Sequence, residues 1–134
     1  MTPEWRELAQ SRSARARETL AEARALLERG SAAGAVNRAY YAAFYAARAL
    51  LATSALDSSK HSGVLAIFDR HFVLAGLIAR EHGRALHDLF TERTRADYAD
   101  QPGFDLESAA KLVKLADALV QAAATLLEKR LSGG

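Results

Sequence analysis

Residues 37–51 read NRAYYAAFYAARALL, an alanine-rich stretch that holds three tyrosines and one phenylalanine and contains neither glycine nor proline. This composition favours an α-helix, and the helical spacing of about 100° per residue sorts the side chains onto two unlike faces. One face is a narrow stripe of mixed character: Asn37, Tyr41, Phe44, Arg48 and Leu51, flanked by Tyr40 and Ala47. Polar groups set among aromatic rings need hydrogen-bonding partners when they are buried. The stripe therefore predicts either a polar network in the core or one wall of a binding site.

The opposite face of this helix is made of small side chains, Ala39, Ala43 and Ala46, with Leu50 at its end. Side chains of this size let a second helix approach closely. We expect this face to be a close-packing surface, and it is one reason to predict a homodimer.

The composition bounds the class of protein. The chain has 134 residues, half of them apolar, and alanine is the commonest, which indicates one all-α domain at 1–131 followed by a flexible tail at 132–134. No cysteine is present, so disulfides and thiolate metal sites are excluded. Neither a signal peptide nor a bilayer-spanning run is recognisable, so we expect a soluble, cytoplasmic protein that does not bind membranes. A net charge of +2 is weak evidence for a nucleic-acid partner.

Local signals divide the chain into five predicted helices, at about 3–28, 32–52, 62–71, 77–98 and 106–131. Gly30 supplies a C-terminal stop, and Ser31 and Asp105 are predicted N-caps. The first two helices are joined by Gly30 and Ser31 alone and should form an antiparallel hairpin. Residues 53–59 are predicted as a loop, and residues 97–103 as the turn that ends the fourth helix.

The fourth helix has a polar, mildly basic face: Arg80, Arg84, His87, Thr91, Arg95 and Tyr98. Its other face is apolar, with Leu86, Leu89 and Phe90, but one turn further on it carries Arg93 and Asp97. These two charges are spaced i, i+4 and can pair directly. One interpretation is a structural Arg–Asp bridge bonded to Asn37 or Tyr41 of the second helix. The other is an arginine that Asp97 holds ready for a phosphate.

Lys60 and His61 open the third helix, where backbone N–H groups favour anions. Protonation of His61 below about pH 6.5 should then strengthen anion binding. The structural alternative is that Ser62 caps the helix and His61 bonds a carbonyl group. The four histidines show no metal-ligand spacing, so we predict no metal site and no cofactor.

Four motifs together resemble the HEPN domain, the higher-eukaryote and prokaryote nucleotide-binding domain, in its small, stand-alone prokaryotic branch. They are NRAYYAAF with ARALL at 37–44 and 47–51, KHSGV at 60–64, phenylalanines at 68 and 72, and Arg93-x-x-Ala96-Asp97-Tyr98. The resemblance covers nearly the whole chain. It implies an up-and-down bundle of four or five helices that is usually a homodimer.

The resemblance also implies a partner and an activity. HEPN proteins are commonly encoded beside a minimal nucleotidyltransferase, and many are ribonuclease toxins that this partner silences. Their catalytic motif is an Arg followed, after four to six residues, by a His that shuttles a proton. Arg93 matches the Arg, but residues 98–100 are Tyr, Ala and Asp. Arg80 and His87 have six residues between them, on earlier turns of the helix.

Three hypotheses follow. The first is a HEPN module that binds a nucleotide or RNA phosphate and acts with a nucleotidyltransferase, in a toxin–antitoxin pair; its predicted ligand-binding residues are Asn37, Tyr41, Lys60, His61, Arg93, Asp97 and Tyr98. The second is a metal-independent ribonuclease toxin whose Arg–His motif departs from the family pattern, so that Arg93 acts with His61 or His87. The third is a purely structural dimeric bundle.

Overall fold

The computed structural model describes residues 1–98 and 105–133, with Tyr98 described in its backbone alone. The described residues contain five α-helices and no strand: α1 Pro3–Glu28, α2 Ala32–Thr53, α3 His61–Phe68, α4 Arg80–Tyr98 and α5 Leu106–Ser132. The prediction of an all-α bundle is confirmed. The turn predicted at 97–103 falls almost entirely outside the described residues.

The C-terminal end of α1 and the start of α5 follow the local signals in the sequence. Gly30 has a φ of 81° and lies just past the end of α1, where the Ser31 N–H donates to the Leu26 carbonyl across the turn. This arrangement satisfies carbonyls that the helix leaves without partners, and glycine adopts it without strain. Asp105 caps α5 by accepting a hydrogen bond from the Ser108 N–H at 2.7 Å.

Two predicted caps differ from the structure. Ser31 occupies the N-cap position of α2, but its side chain makes no capping hydrogen bond. α3 begins at His61, with Lys60 as its N-cap, so the prediction that Ser62 caps this helix is wrong. The Ser58 hydroxyl instead accepts a hydrogen bond from the Lys60 N–H at 3.2 Å, and this turn sets the start of α3 one residue earlier than predicted.

The region between α3 and α4 is also more irregular than its periodicity suggested. α3 passes directly into a π-helical turn at Asp69–Val73, and a turn at Gly76, with φ 80°, ends it. α4 then begins at Arg80, three residues later than predicted. Phe68 and Phe72 are both buried, so the π turn keeps two successive rings in the core.

α2 is the central helix of the bundle. It packs most extensively against α1 and is also covered by α5, α4 and α3. Its small face, Ala39, Ala43, Ala46 and Leu50, is buried inside the single chain. The close-packing surface is therefore confirmed, but another helix of the same chain already covers it, so it does not itself indicate a dimer. The homodimer stays a prediction. No helix within 1–98 and 105–133 is long and apolar enough to cross a bilayer.

Candidate functional site

Side chains from α2 and α4 meet in a polar cluster that we call the Arg93 cluster: Asn37, Tyr41, Arg93 and Asp97. Arg93 Nη2 donates a hydrogen bond of 2.6 Å to the Tyr41 hydroxyl, and Arg93 Nε lies 2.9 Å from Asp97 Oδ2. The Asn37 amide donates to Asp97 Oδ1 at 3.2 Å. The contacts predicted between the Arg–Asp pair and α2 are therefore present.

Arg93 is held firmly but retains donor capacity. Its side chain is 19% exposed and that of Asp97 is 31% exposed, so the pair lies at the edge of the core rather than deep within it. Arg93 Nε is sealed from solvent and, close as it is to Asp97, makes no well-directed hydrogen bond to any described residue. Nη1 also makes no hydrogen bond to a described residue, but unlike Nε it is not fully sealed from solvent. A guanidinium with anchored and accessible edges is suited to bind an anion.

His61 lies beside this cluster, packed among aromatic rings of α2. Its ring stacks on Phe44 with the centroids 4.3 Å apart, and its Nδ1 lies 2.7 Å from the Tyr40 hydroxyl. The Arg93 guanidinium lies over the rings of both Tyr40 and Tyr41, at 5.4 and 5.1 Å from their centroids. The structure thus brings Arg93 and His61 to the same pair of tyrosines.

The buried, positively charged environment shifts the pKa values of both Tyr40 and His61. Burial raises the pKa of Tyr40 far above its ordinary value, although the positive charge of Arg93 opposes the shift. Burial and the positive charges of Arg93 and Arg48 lower the pKa of His61. Because the pKa of His61 is lowered, its protonation requires a solution more acidic than the pH of about 6.5 that was expected.

Further arginines, one from α1 and two from α2, lie over aromatic rings of α2. Three guanidinium–ring pairs extend the surface beyond Arg93: Arg15 over Tyr45 at 4.5 Å, Arg38 over Tyr41 at 5.0 Å and Arg48 over Phe44 at 5.8 Å. The side-chain oxygen Oδ1 of Asn37 accepts two hydrogen bonds from Arg38, at 2.9 and 3.0 Å. Asn37 therefore links Arg38 to Asp97. Several cations grouped in this way suit an anionic ligand such as a phosphate.

The remaining predicted site residues are divided between the cluster and its surroundings. Lys60 is exposed at the start of α3 and is adjacent to His61. The Tyr98 side chain lies outside the described residues. His87 lies on the outer face of α4, where its Nε2 contacts Asp69 Oδ2 at 2.5 Å, and it lines an open groove of about 400 Å³ with Arg80 and Arg84. The structure does not bring His87 to the Arg93 cluster.

Sequence reasoning missed an ion-pair cluster formed by Arg12, Arg48 and Asp57. Arg12 Nη2 donates to Asp57 Oδ2 at 2.8 Å, and Arg48 Nη2 donates to Asp57 Oδ1 at 3.1 Å. A signal was present, because Arg12 falls between the buried Ala9 and Ala16 on the inward stripe of α1. Among the described residues, no three metal-ligating side chains are grouped so that they could hold an ion.

The chain is similar to known proteins along most of its length. The family model of the HEPN domain matches residues 9–128, which confirms the resemblance seen in the sequence. A "UPF0332 protein" of Thermotoga maritima is 40% identical over 114 residues, which cover 85% of this chain and 86% of that protein. "UPF0332 protein glr0978" of Gloeobacter violaceus is 39% identical over 73% of this chain and 75% of its own. "Putative toxin MJ0605" of Methanocaldococcus jannaschii is 42% identical over 65% of this chain and 66% of its own.

Proposed function

This chain belongs to the HEPN-domain family, and from that premise we propose that it binds a nucleotide or an RNA phosphate at the Arg93 cluster. We further propose that it is the toxin-like component of a toxin–antitoxin pair, with a minimal nucleotidyltransferase as its partner. The partner is proposed from what the resemblance to HEPN proteins implies, and a relative whose name contains the word toxin supports the toxin-like role.

The observation that carries the proposal is the state of the Arg93 guanidinium. Tyr41 and Asp97 fix one edge of it through contacts of 2.6 and 2.9 Å, whereas Nη1 makes no hydrogen bond to a described residue and is not fully sealed from solvent. A purely structural Arg–Asp bridge does not require an accessible donor beside a ring surface that carries further cations. A phosphate does, because the planar guanidinium matches its oxygens.

The test is a titration of the full-length chain with AMP, ATP and a short single-stranded RNA, with thermal melts of every variant. We expect Arg93→Lys to weaken binding about tenfold, since the lysine keeps the charge but loses the planar fork. Arg24→Lys is the matched control, because Arg24 forms an ion pair with Asp117 elsewhere on the surface. Affinity should also fall as salt rises, since phosphate contacts release counterions.

Two results would overturn this proposal. Wild-type protein that binds none of the three ligands would leave the structural interpretation of the bundle. An Arg93→Lys variant that melts at a lower temperature yet binds as well as wild type would place the ligand elsewhere.

A second candidate function is metal-independent RNA cleavage by Arg93 with His61. The observation that favours it is that both side chains contact Tyr40, although they come from different helices. In this arrangement Arg93 polarises the phosphate, and Nε2 of His61 accepts the proton of the attacking 2′-hydroxyl and returns it to the 5′-oxygen that leaves. This role requires the tautomer in which Nδ1–H donates to the Tyr40 hydroxyl and Nε2 is free. His87 is not suited to this role, because it lies on the opposite face of α4 and is paired with Asp69.

A further inference from the structure

The loop between α2 and α3, residues 54–60, is anchored through Asp57 to two arginines. The Asp57 carboxylate accepts hydrogen bonds from Arg12 at 2.8 Å and from Arg48 at 3.1 Å, and Arg12 Nη1 also donates to the Arg48 carbonyl at 3.3 Å. Arg12 and Asp57 are 45 residues apart in the sequence, so this cluster fastens the loop to both α1 and α2.

The cluster is unusual in its burial. The Arg12 side chain is 10% exposed although it carries a full charge, and Asp57 is its one carboxylate partner among the described residues. An arginine this deeply buried loses much hydration, which its partners must replace. Burial alone would raise the pKa of Asp57, but hydrogen bonds from Arg12, the Ser58 N–H and Arg48 outweigh it and hold this pKa below its ordinary value.

Two sets of contacts lead from Asp57 to His61. Along the chain, Asp57 accepts from the Ser58 N–H at 2.8 Å, and Ser58 in turn accepts from the Lys60 N–H at the start of α3. Through space, Arg48 lies over the ring of Phe44, on which His61 stacks. The carboxylate of Asp57 therefore holds both the backbone that precedes His61 and the guanidinium beside the ring on which His61 stacks.

The loop leaves α2 in the same way as the chain leaves α1. Ala55 has a φ of 55° and the Leu56 N–H donates to the Leu51 carbonyl, as the Ser31 N–H donates to the Leu26 carbonyl after Gly30. This left-handed turn ends the helix and fixes where the loop begins, although it costs a residue with a Cβ about 1 kcal/mol or more. Asp57 follows two residues later and ties the rest of the loop to α1 and α2.

We propose that Asp57 is a positioning residue, which, through Arg12 and Arg48, holds His61 against Phe44 and Tyr40 and so completes the anion site. This role rests on the proposed function, in which His61 contributes to the site together with Arg93. Asp57 itself does not touch the ligand.

The test compares Asp57→Asn with Asp117→Asn in the full-length chain. Asp117 is the matched control, because it pairs with Arg24 and is 30% exposed, against 33% for Asp57. Three quantities are measured: the pKa of the His61 imidazole by NMR, the hydrogen exchange of the amides of residues 58–64, and the dissociation constant for AMP.

We expect Asp57→Asn, and not Asp117→Asn, to weaken AMP binding about tenfold and to speed exchange in residues 58–64. The direction of the His61 shift separates positioning from a simple change of field. Release of His61 from its buried contacts raises its pKa toward 6.5, whereas an unmoved His61 would feel an uncompensated Arg48 and titrate at a lower pH. Arg12→Lys, which keeps the charge but loses one hydrogen bond, should give the same changes with smaller amplitude, and it serves if Asp57→Asn does not fold.

Two outcomes would overturn this proposal, and a third would bear on the proposed function alone. A His61 pKa that falls or is unchanged overturns it, as does AMP binding that is equal in the two asparagine variants. Wild-type protein that binds no AMP contradicts the proposed function alone, because the His61 and amide-exchange measurements still report whether Asp57 positions the loop.

Discussion

The Tyr40 hydroxyl lies 2.7 Å from Nδ1 of His61, and we assign the phenol as the donor in this contact. Burial raises the pKa of Tyr40, so the phenol keeps its proton at neutral pH. Among the described residues the hydroxyl has His61 as its one hydrogen-bonding partner. With the phenol as donor, Nδ1 accepts and the neutral imidazole carries its hydrogen on Nε2, the tautomer that suits anion binding rather than proton transfer. His61 thus offers an N–H donor to an anion without being charged.

Removal of the phenol should make His61 more basic. In Tyr40→Phe the hydrogen bond that stabilises the neutral imidazole is lost, so we expect the pKa of His61 to rise and the free energy of unfolding to fall by about 1 kcal/mol. NMR titration of the imidazole and a thermal melt measure the two effects. Tyr45→Phe is the control, because the Tyr45 ring contacts Arg15 and is not bonded to a histidine. A His61 pKa that is unchanged in Tyr40→Phe would contradict the assigned donor.

The stability of the wild-type chain should depend on His61 in mildly acidic solution. The pKa of His61 is lowered in the folded state, so below the unfolded value of 6.5 the unfolded chain binds a proton that the folded chain resists. The free energy of unfolding therefore falls as the pH decreases through 6.5, until the folded-state pKa is passed. Chemical denaturation at a series of pH values checks this. His61→Gln should flatten the dependence in this range, and an equally steep dependence in that variant would assign it to another group.

The helices could be predicted from the sequence because their signals are local. Gly30 and Asp105 mark a helix end and a helix start by their own conformation and side chain, and the structure places both as predicted. The start of α3 could not be found in this way, because Ser58 accepts from Lys60 through a turn whose path is set by contacts with α1 and α2. Periodicity likewise identifies the small face of α2 but not whether α1 or a second chain covers it.

The candidate site was predictable to the extent that helical spacing determines it. Arg93 and Asp97 lie one turn apart, and their position on an apolar face required polar partners, which Asn37 and Tyr41 supply. The contact of His61 with Tyr40 depends on how the loop at 54–60 folds back. That path is set by Asp57 pairing with an arginine 45 residues earlier, a separation at which sequence spacing carries no information.

The two members of the Arg93–Asp97 pair should differ in their effect on stability. Asp97→Ala leaves the more deeply buried guanidinium with Tyr41 as its remaining hydrogen-bonding partner, whereas Arg93→Met leaves a carboxylate that still accepts from Asn37. We expect Asp97→Ala to cost about 1 to 2 kcal/mol and Arg93→Met to cost less, since a cation left unpaired is the larger penalty. Thermal melts measure the difference. Small and equal losses would show that water solvates both side chains.

Ala55 is the position at which a substitution should stabilise the chain. Its φ of 55° strains a residue that has a Cβ, so Ala55→Gly should raise the free energy of unfolding by up to about 1 kcal/mol, net of the greater freedom that glycine gives the unfolded chain. Ala21→Gly, at an exposed position inside α1, should instead lower it by about 1 kcal/mol. If both glycine variants are destabilised alike, the left-handed conformation at Ala55 carries no strain.

The choice between binding and cleavage depends on two histidines that the structure separates. If the chain cleaves RNA, His61→Gln should lower the rate about a hundredfold or more, as expected when a proton-transfer group is removed. His87→Gln should leave the rate within about twofold, because His87 faces the other side of α4 and contacts Asp69. Cleavage of a labelled single-stranded RNA in the presence of EDTA measures both rates, and growth arrest on expression gives the same comparison in cells. Loss of cleavage in His87→Gln alone would place the catalytic site in the open groove lined by His87, Arg80 and Arg84. RNA that stays intact with wild-type protein would contradict cleavage and leave binding by Arg93, because a guanidinium held by Tyr41 and Asp97 can retain a phosphate without a proton shuttle.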